Sequence, residues 1–315
     1  MSAQTAKAGR VPMQLALGPL LTYWARAQVL DFYREVASWP LDTVYLGETV
    51  CSRRHELRLA DWLALAAQLR EAGKEVVLST QVLIESGADV ATLRKIADNG
   101  EFSVEANDMG AVHCLQDRRA FVAGPHLNIY NLPTLQWMAQ RGARRWVMPL
   151  EMARTDLQLL QQGRPAGLQT EVFVYGRMPL AYSARCFTAR HRNVPKDDCQ
   201  FSCIAHPDGL LMRTQEDENF LVLNGTQTQS ARVYNLVGEV PVLQAMGVDA
   251  LRLSPQSQHT GDVVRTFHRV LTQALEPAQA QQALLAWMPD LPCNGYWYGQ
   301  PGLQQCTVQA TGAPA

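Results

Sequence analysis

Short apolar runs alternate along the chain with stretches whose apolar residues recur at helical spacing. The first run covers 13–17 and stops at Gly18-Pro19. Behind it Val29, Leu30, Phe32, Tyr33 and Val36 fall near a 3.6-residue period. A second run, 43–48, reads as a strand closed by a glycine turn, and a helical pattern over about 59–73 stops at Gly73. The β-branched run 75–80 is a third strand, and a helix over about 88–98 ends before Gly100. Residues 102–105, 120–123, 145–149 and 171–175 supply strands four to seven. Helices start near Met109 and cover about 133–141 and 155–163 between them. The run 250–254, after the helix-like 239–246, is the eighth strand.

Strands that alternate with helices at this spacing predict βαβ units and a parallel sheet. Eight such units in about 250 residues predict a TIM-type (β/α)8 barrel, with a doubly wound open sheet as the alternative. Residues 13–302 form the expected single barrel domain, flanked by flexible tails over 1–12 and 303–315. Residues 176–235 break the rhythm. They hold three cysteines, the turn-like Pro207-Asp208-Gly209 and the strand-like stretch 220–225, and read as an insertion between strands seven and eight. Long insertions on a rigid scaffold usually carry function.

Composition narrows the classes. The chain has 315 residues, 47% hydrophobic and 18% charged, which suits a large core rather than a disordered chain. Its 28 Lys+Arg against 29 Asp+Glu give a net charge of −1, with no global sign of nucleic-acid binding. No run is long and apolar enough for a membrane span, and MSAQTAKAGR leads into no secretory h-region, so a cytoplasmic setting is expected. Dinucleotide, P-loop, zincin and nucleophile-elbow motifs are missing from the sequence.

The seven cysteines are Cys51, Cys114, Cys186, Cys199, Cys203, Cys293 and Cys306. An odd number cannot pair completely within one chain, and thiols kept reduced point to metal or redox chemistry where they cluster. Cys186, Cys199 and Cys203 form C-x(12)-C-x(3)-C inside the insertion. Thiolates are soft ligands, and their type alone leaves zinc and an iron–sulfur cluster both open. Cys51, three residues beyond Glu48 at the end of strand two, shares the barrel's active face with the loop after strand seven and is the best fourth ligand. Cys293 is a rival; Cys114 reads as a buried apolar cysteine and Cys306 as part of the tail.

The segment Glu171-Val-Phe-Val-Tyr-Gly-Arg-Met-Pro-Leu-Ala-Tyr-Ser-Ala-Arg-Cys186 resembles the signature of the collagenase-like peptidase family, whose members are TIM-type barrels. Glu171, Phe173, Gly176 and Cys186 match that signature. Pro179 replaces its first Cys and Ala184 its Gly, which turns the resemblance away from peptidase activity. It turns instead toward the UbiV branch of oxygen-independent ubiquinone biosynthesis. That resemblance runs almost end to end and includes Gly47-Glu-Thr-Val-Cys-Ser52, the long string from Pro179 to Arg190, Pro195-Lys-Asp197 and Cys293-Asn-Gly-Tyr-Trp297.

The resemblance implies a [4Fe-4S] cluster on Cys51, Cys186, Cys199 and Cys203. It also implies a heterodimer with the barrel paralogue UbiU and O2-independent hydroxylation of the aromatic ring of ubiquinone precursors. Prephenate is the implied oxygen donor, and a UbiT-like lipid-binding protein the implied presenter of the prenylated aromatic substrate. A peptidase and a zinc-stabilised binding module are the alternatives. Strand-end polar residues that could line a substrate pocket are Glu48, Glu105, Asn128, Glu151 and Arg252. A dicarboxylate donor favours arginine, which grips carboxylates bidentately, so Arg53, Arg54, Arg185 and Arg190 beside the cysteines are further candidates.

Overall fold

The computed structural model describes residues 12–307. In chain order its strands are β1 (Gln14–Leu17), β2 (Thr43–Leu46), β3 (Glu75–Ser79), β4 (Ser103–Ala106), β5 (Phe121–Ala123), β6 (Ala143–Val147), β7 (Gln169–Tyr182), β8 (Leu210–Arg213), β9 (Asn219–Asn224), β10 (Gln227–Asn235), β11 (Ala250–Leu253) and β12 (Pro292–Cys293). The helices are α1 (Arg26–Val36), α2 (Leu59–Glu71), α3 (Gly87–Ala97), α4 (Met109–Leu115), α5 (Leu132–Gln140), α6 (Arg154–Gly163), α7 (Phe187–His191), α8 (Val240–Met246), α9 (Thr260–Leu271) and α10 (Pro277–Leu284).

Strands β1 to β7 pair in parallel, each with the next, and β11 pairs with both β1 and β7. The ring is therefore closed, with eight staves and helices between them, and the open-sheet alternative falls. The staves are short apolar runs because both their faces are covered. One face packs on the helices through Leu15, Val44, Leu78, Val104, Trp146 and their neighbours. Alternate residues point into the ring, where Ala16, Tyr45, Val77, Val122 and Val147 form a small separate core.

The insertion grows out of a stave. β7 is 14 residues long rather than the five expected for the seventh strand. Its first half pairs with β6 and β11, and from Tyr175 onward it pairs antiparallel with β10, with Gly176 opposite Tyr234 and Tyr182 opposite Gln227. β10, β9 and β8 continue as an antiparallel meander. Gly176 sits at the point of departure with φ of 133°, and a Cβ there would stand 2.5 Å from that of Ser254. Only glycine meets both conditions.

The tail expected from 303 is pinned where it is described. Leu303 packs on the core, and the Cys306 amide donates to Asn294 Oδ1 at 2.6 Å. Residues 1–11 and 308–315, the rest of the two expected tails, lie outside the described residues. Among the described residues no helix is long and apolar enough to cross a membrane.

Candidate cysteine centre and barrel-mouth cavity

Because the staves are parallel, the loops after β2 and β7 emerge at one end of the barrel. The β2 loop turns at Gly47, with φ of 125°, and then Glu48 accepts from the amides of Val50 and Cys51 at 2.9 and 3.0 Å. Burial pushes the Glu48 carboxyl up, against the pull of Arg54 and those two amides. Glu48 thus holds the loop that carries Cys51. Cys186 follows the β7 arm and caps the short α7, its Sγ 3.4 Å from the Ala189 amide. Cys199 and Cys203 lie in the turns beyond it.

Cys51, Cys186, Cys199 and Cys203 line one small cavity together with Arg53, Arg54 and Gly225. The structure brings these four together from three separate segments. Cys293 is buried in β12, Cys114 lies on α4 and Cys306 on the chain's far end, and none lines that cavity. Among the described residues no group of three or more His, Cys, Asp or Glu is arrayed to hold a single metal ion.

Two arginines organise the cavity. Arg53 donates to the Asp197 carbonyl at 2.6 Å and so ties the Cys51 loop to the Cys199 segment. Arg54 is 4% exposed and donates to the Leu21 carbonyl at 2.7 Å and to Asn224 Oδ1 at 2.6 Å. Its charge pulls the Cys203 thiol down, and its Nε is buried without a partner. Burial pushes the Cys51 thiol up to about 11 and raises Cys203 too, against the pull of Arg54. These thiols are neutral near pH 7 unless a metal takes the place of their protons. Four thiols on one cavity with a buried, fixed cation are a donor set that fits an anionic metal–thiolate group.

The second cavity is the barrel mouth, of about 360 Å3. Its wall is mostly apolar, with Leu21, Val82, Met148, Phe173 and Leu180 among its residues. Glu105, Asn128, Glu151 and Arg252 line it as well. Glu105 and Arg252 sit deep, with Arg252 Nη1 2.8 Å from Glu105 Oε1 and Nε 2.5 Å from Glu171 Oε1. The Arg252 guanidinium also stacks 4.0 Å from the centre of the Tyr45 ring. Burial opposes its charge, but Glu105 and Glu171 hold its proton well above the ordinary range. Asn128 and Glu151 are at the exposed rim, where Glu151 accepts from the Tyr130 hydroxyl at 3.1 Å. Arg185 and Arg190 are exposed and line neither cavity.

Four residues of the barrel interior and its mouth were not among the pocket residues expected from the sequence: Glu171, Arg145, His126 and Tyr182. Tyr45 donates to Glu171 Oε2 at 2.6 Å, and Arg145 below it reaches the same oxygen at 3.5 Å and Glu75 at 2.9 Å. The available signal was a charge at an inward position of a stave, where only a paired ion is tolerated. His126 and Tyr182 line the mouth, with Nε2 and the hydroxyl 3.3 Å apart. Burial, helped by the charge of Arg252, pushes His126 down to about 3, so its ring is neutral.

A family model described as peptidase family U32 matches residues 30–301. The chain belongs to peptidase family U32. This U32 member is 28% identical over 143 residues to tRNA hydroxylation protein P of Helicobacter pylori (strain ATCC 700392 / 26695), covering 42% of this chain and 33% of that protein. It is 20% identical over 264 residues to tRNA hydroxylation protein P1 of Bacillus subtilis (strain 168), covering 78% of this chain and 55% of that one. The chain thus spans a third to about half of these curated relatives. Among solved structures, the U32 peptidase Mk0906 aligns with a TM-score of 0.46 at 11% identity, over 81% of this chain and 97% of that one.

Proposed function

We propose that the chain is the iron–sulfur subunit of an O2-independent hydroxylation of the aromatic ring of ubiquinone precursors. In this reading a [4Fe-4S] cluster is held by Cys51, Cys186, Cys199 and Cys203. The chain works as a heterodimer with its paralogue UbiU, takes oxygen from prephenate, and meets its prenylated substrate on a UbiT-like lipid-binding protein. The observation that carries the proposal is the convergence of four thiols on one cavity at the barrel end that also opens the apolar mouth. Relatives named for hydroxylation support the reaction class. Their names specify tRNA, whereas the near-neutral charge of this chain does not favour nucleic acid. The ubiquinone assignment comes from the resemblance of the string from Pro179 to Arg190.

A cluster closed by four thiolates supplies one-electron transfer. The chain's own residues do the rest. Arg54 offsets negative charge at the cysteines, and Arg53 and Glu48 fix the loops that bear them. The apolar wall with Phe173 suits an aromatic ring. Arg252, the arginine that lines the mouth, is already paired with two carboxylates. The mouth therefore suits a neutral ring better than a dicarboxylate. A peptidase reading fits less well, because a nucleophilic cysteine needs a lowered pKa and Cys51 and Cys203 are pushed the other way.

Anaerobic purification tests the proposal. The protein should be brown, absorb broadly near about 400 nm and contain iron and sulfide. Each Cys→Ala change among the four should lower iron severalfold, while Cys114→Ala should not. Colourless protein that holds only zinc would replace this reading with the zinc-stabilised module, and full absorbance in Cys199→Ala would remove that ligand.

A further inference from the structure

The two cavities are joined by an unbroken series of side-chain hydrogen bonds. Arg54 Nη2 donates to Asn224 Oδ1 at 2.6 Å, and Asn224 Nδ2 donates to Gln227 Oε1 at 2.9 Å. Gln227 Nε2 donates to the Tyr182 hydroxyl at 2.5 Å, and that hydroxyl lies 3.3 Å from His126 Nε2. Arg54, Asn224 and Gln227 are 4%, 2% and 0% exposed, so water does not compete for these bonds. Arg54 lines the cysteine cavity, and Tyr182 and His126 line the mouth.

The direction of the series follows from the chemistry of its first member. A guanidinium only donates, so the oxygen of Asn224 must face Arg54. The amide nitrogen of Asn224 then faces Gln227, which must offer its oxygen. Gln229 Nε2 donates to that same oxygen at 2.8 Å and Asn224 Nδ2 also donates to the Leu21 carbonyl at 2.8 Å, so neither amide can be reversed without loss. Gln227 therefore spends its N–H on the Tyr182 oxygen. With its oxygen already accepting from Gln227, the Tyr182 hydroxyl is placed to donate to His126 Nε2, 3.3 Å away, and a neutral imidazole that accepts at Nε2 carries its proton on Nδ1.

We propose that Arg54, Asn224, Gln227 and Tyr182 form a one-way hydrogen-bonded chain that fixes His126 as the Nδ1–H tautomer, so that His126 presents a hydrogen-bond donor to an oxygen of the ligand in the barrel mouth. Gln227 and Tyr182 are positioning residues in this scheme, acting through the histidine. The inference deepens the proposed function by naming the group that orients its ring substrate. The bond directions hold for the metal-free protein too, so a failure of the iron assay and a failure here are separate results.

Nitrogen-15 NMR of histidine-labelled protein tests it, with the His126 signals assigned by their loss in His126→Gln. Wild type should show a protonated Nδ1 and an unprotonated Nε2, and phenol added to saturation should shift the Nδ1 signal. In Gln227→Glu the carboxylate can only accept, so the Tyr182 proton turns toward it and the tautomer should switch to Nε2–H. In Tyr182→Phe, which keeps the ring that packs 4.8 Å from His126, the two tautomers should mix. That variant decides the matter if the buried glutamate does not fold. An Nε2–H signal in wild type, an Nδ1–H signal unchanged in the folded variants, or indifference of Nδ1 to phenol would overturn the proposal.

Discussion

Replacing Arg252 with methionine isolates the energetic role of the ion pairs inside the barrel. The side chain is 5% exposed, and those of its partners Glu105 and Glu171 are 1% and 0% exposed. Methionine keeps most of the volume, so the change is chiefly one of charge. Glu171 would retain the Tyr45 hydroxyl at 2.6 Å and Arg145 at 3.5 Å. Glu105 would retain Ser79 at 2.7 Å and Asn107 at 3.2 Å, neither of them a cation. Most of the deficit therefore falls on Glu105. Removing one partner of a buried pair costs about 3–5 kcal/mol, against a total stability of about 5–15 kcal/mol. For a chain of this size the melting temperature should fall by roughly 5–8 °C. Urea unfolding followed by circular dichroism measures the loss. Adding Glu105→Gln to Arg252→Met removes the orphaned charge and should restore about half the loss or more. A loss below about 1 kcal/mol in Arg252→Met, or a double variant weaker than the single one, would refute this account.

Three further outcomes are expected. Gly47→Ala places a Cβ 2.7 Å from the Ser79 carbonyl at a φ of 125°, and should cost at least roughly 1–3 kcal/mol and reduce iron retention by moving the Cys51 loop; unchanged urea midpoint and iron content would contradict it. In metal-free protein, Cys51, pushed up by burial to about 11, should be alkylated at pH 8 at least about tenfold more slowly than free cysteine, with the rate rising toward pH 11; peptide mass spectrometry decides it, and equal rates would sink the claim. His126, held down to about 3 chiefly by burial, favours folding fully above its unfolded value near 6.5, and that contribution is lost as the pH falls from there toward 3. It amounts to a few kcal/mol at most, and His126→Asn should flatten that part of the acid-unfolding profile, a steepening being the contrary result.

Much of the barrel was legible because parallel staves are short, apolar on both faces and spaced by helices. The expected strand 75–80 and the observed Glu75–Ser79 differ by one residue. The seventh strand was read far too short. Beyond Tyr175 the sequence Gly-Arg-Met-Pro has little β propensity, and its extended form is imposed by pairing with β10, where Gly176 meets Tyr234 and Pro179 meets Gln229. Cys51 could be placed beside the other three because strand order fixes which loops share an end. The arginines could not be sorted in this way. Arg53 and Arg54 are adjacent in sequence, yet one is tied across the cavity rim and the other is sealed inside. Arg185 and Arg190 flank Cys186 in the chain but turn to solvent. Spacing along a chain does not tell which side of a loop faces inward, and that choice decides which charges become functional.

β7 also has a meaning for how the protein can change over time. One continuous strand is both a wall of the mouth and the arm on which Cys186 is mounted. Successive residues of a strand face opposite sides, so a single-residue insertion or deletion between Gly176 and Tyr182 would rotate the Tyr182 hydroxyl away from His126 and shift the arm by one step of about 3.3 Å. Length variation is therefore barred from this stretch. It is free to accumulate at the exposed turn 214–218 between β8 and β9, where an added residue moves neither cavity.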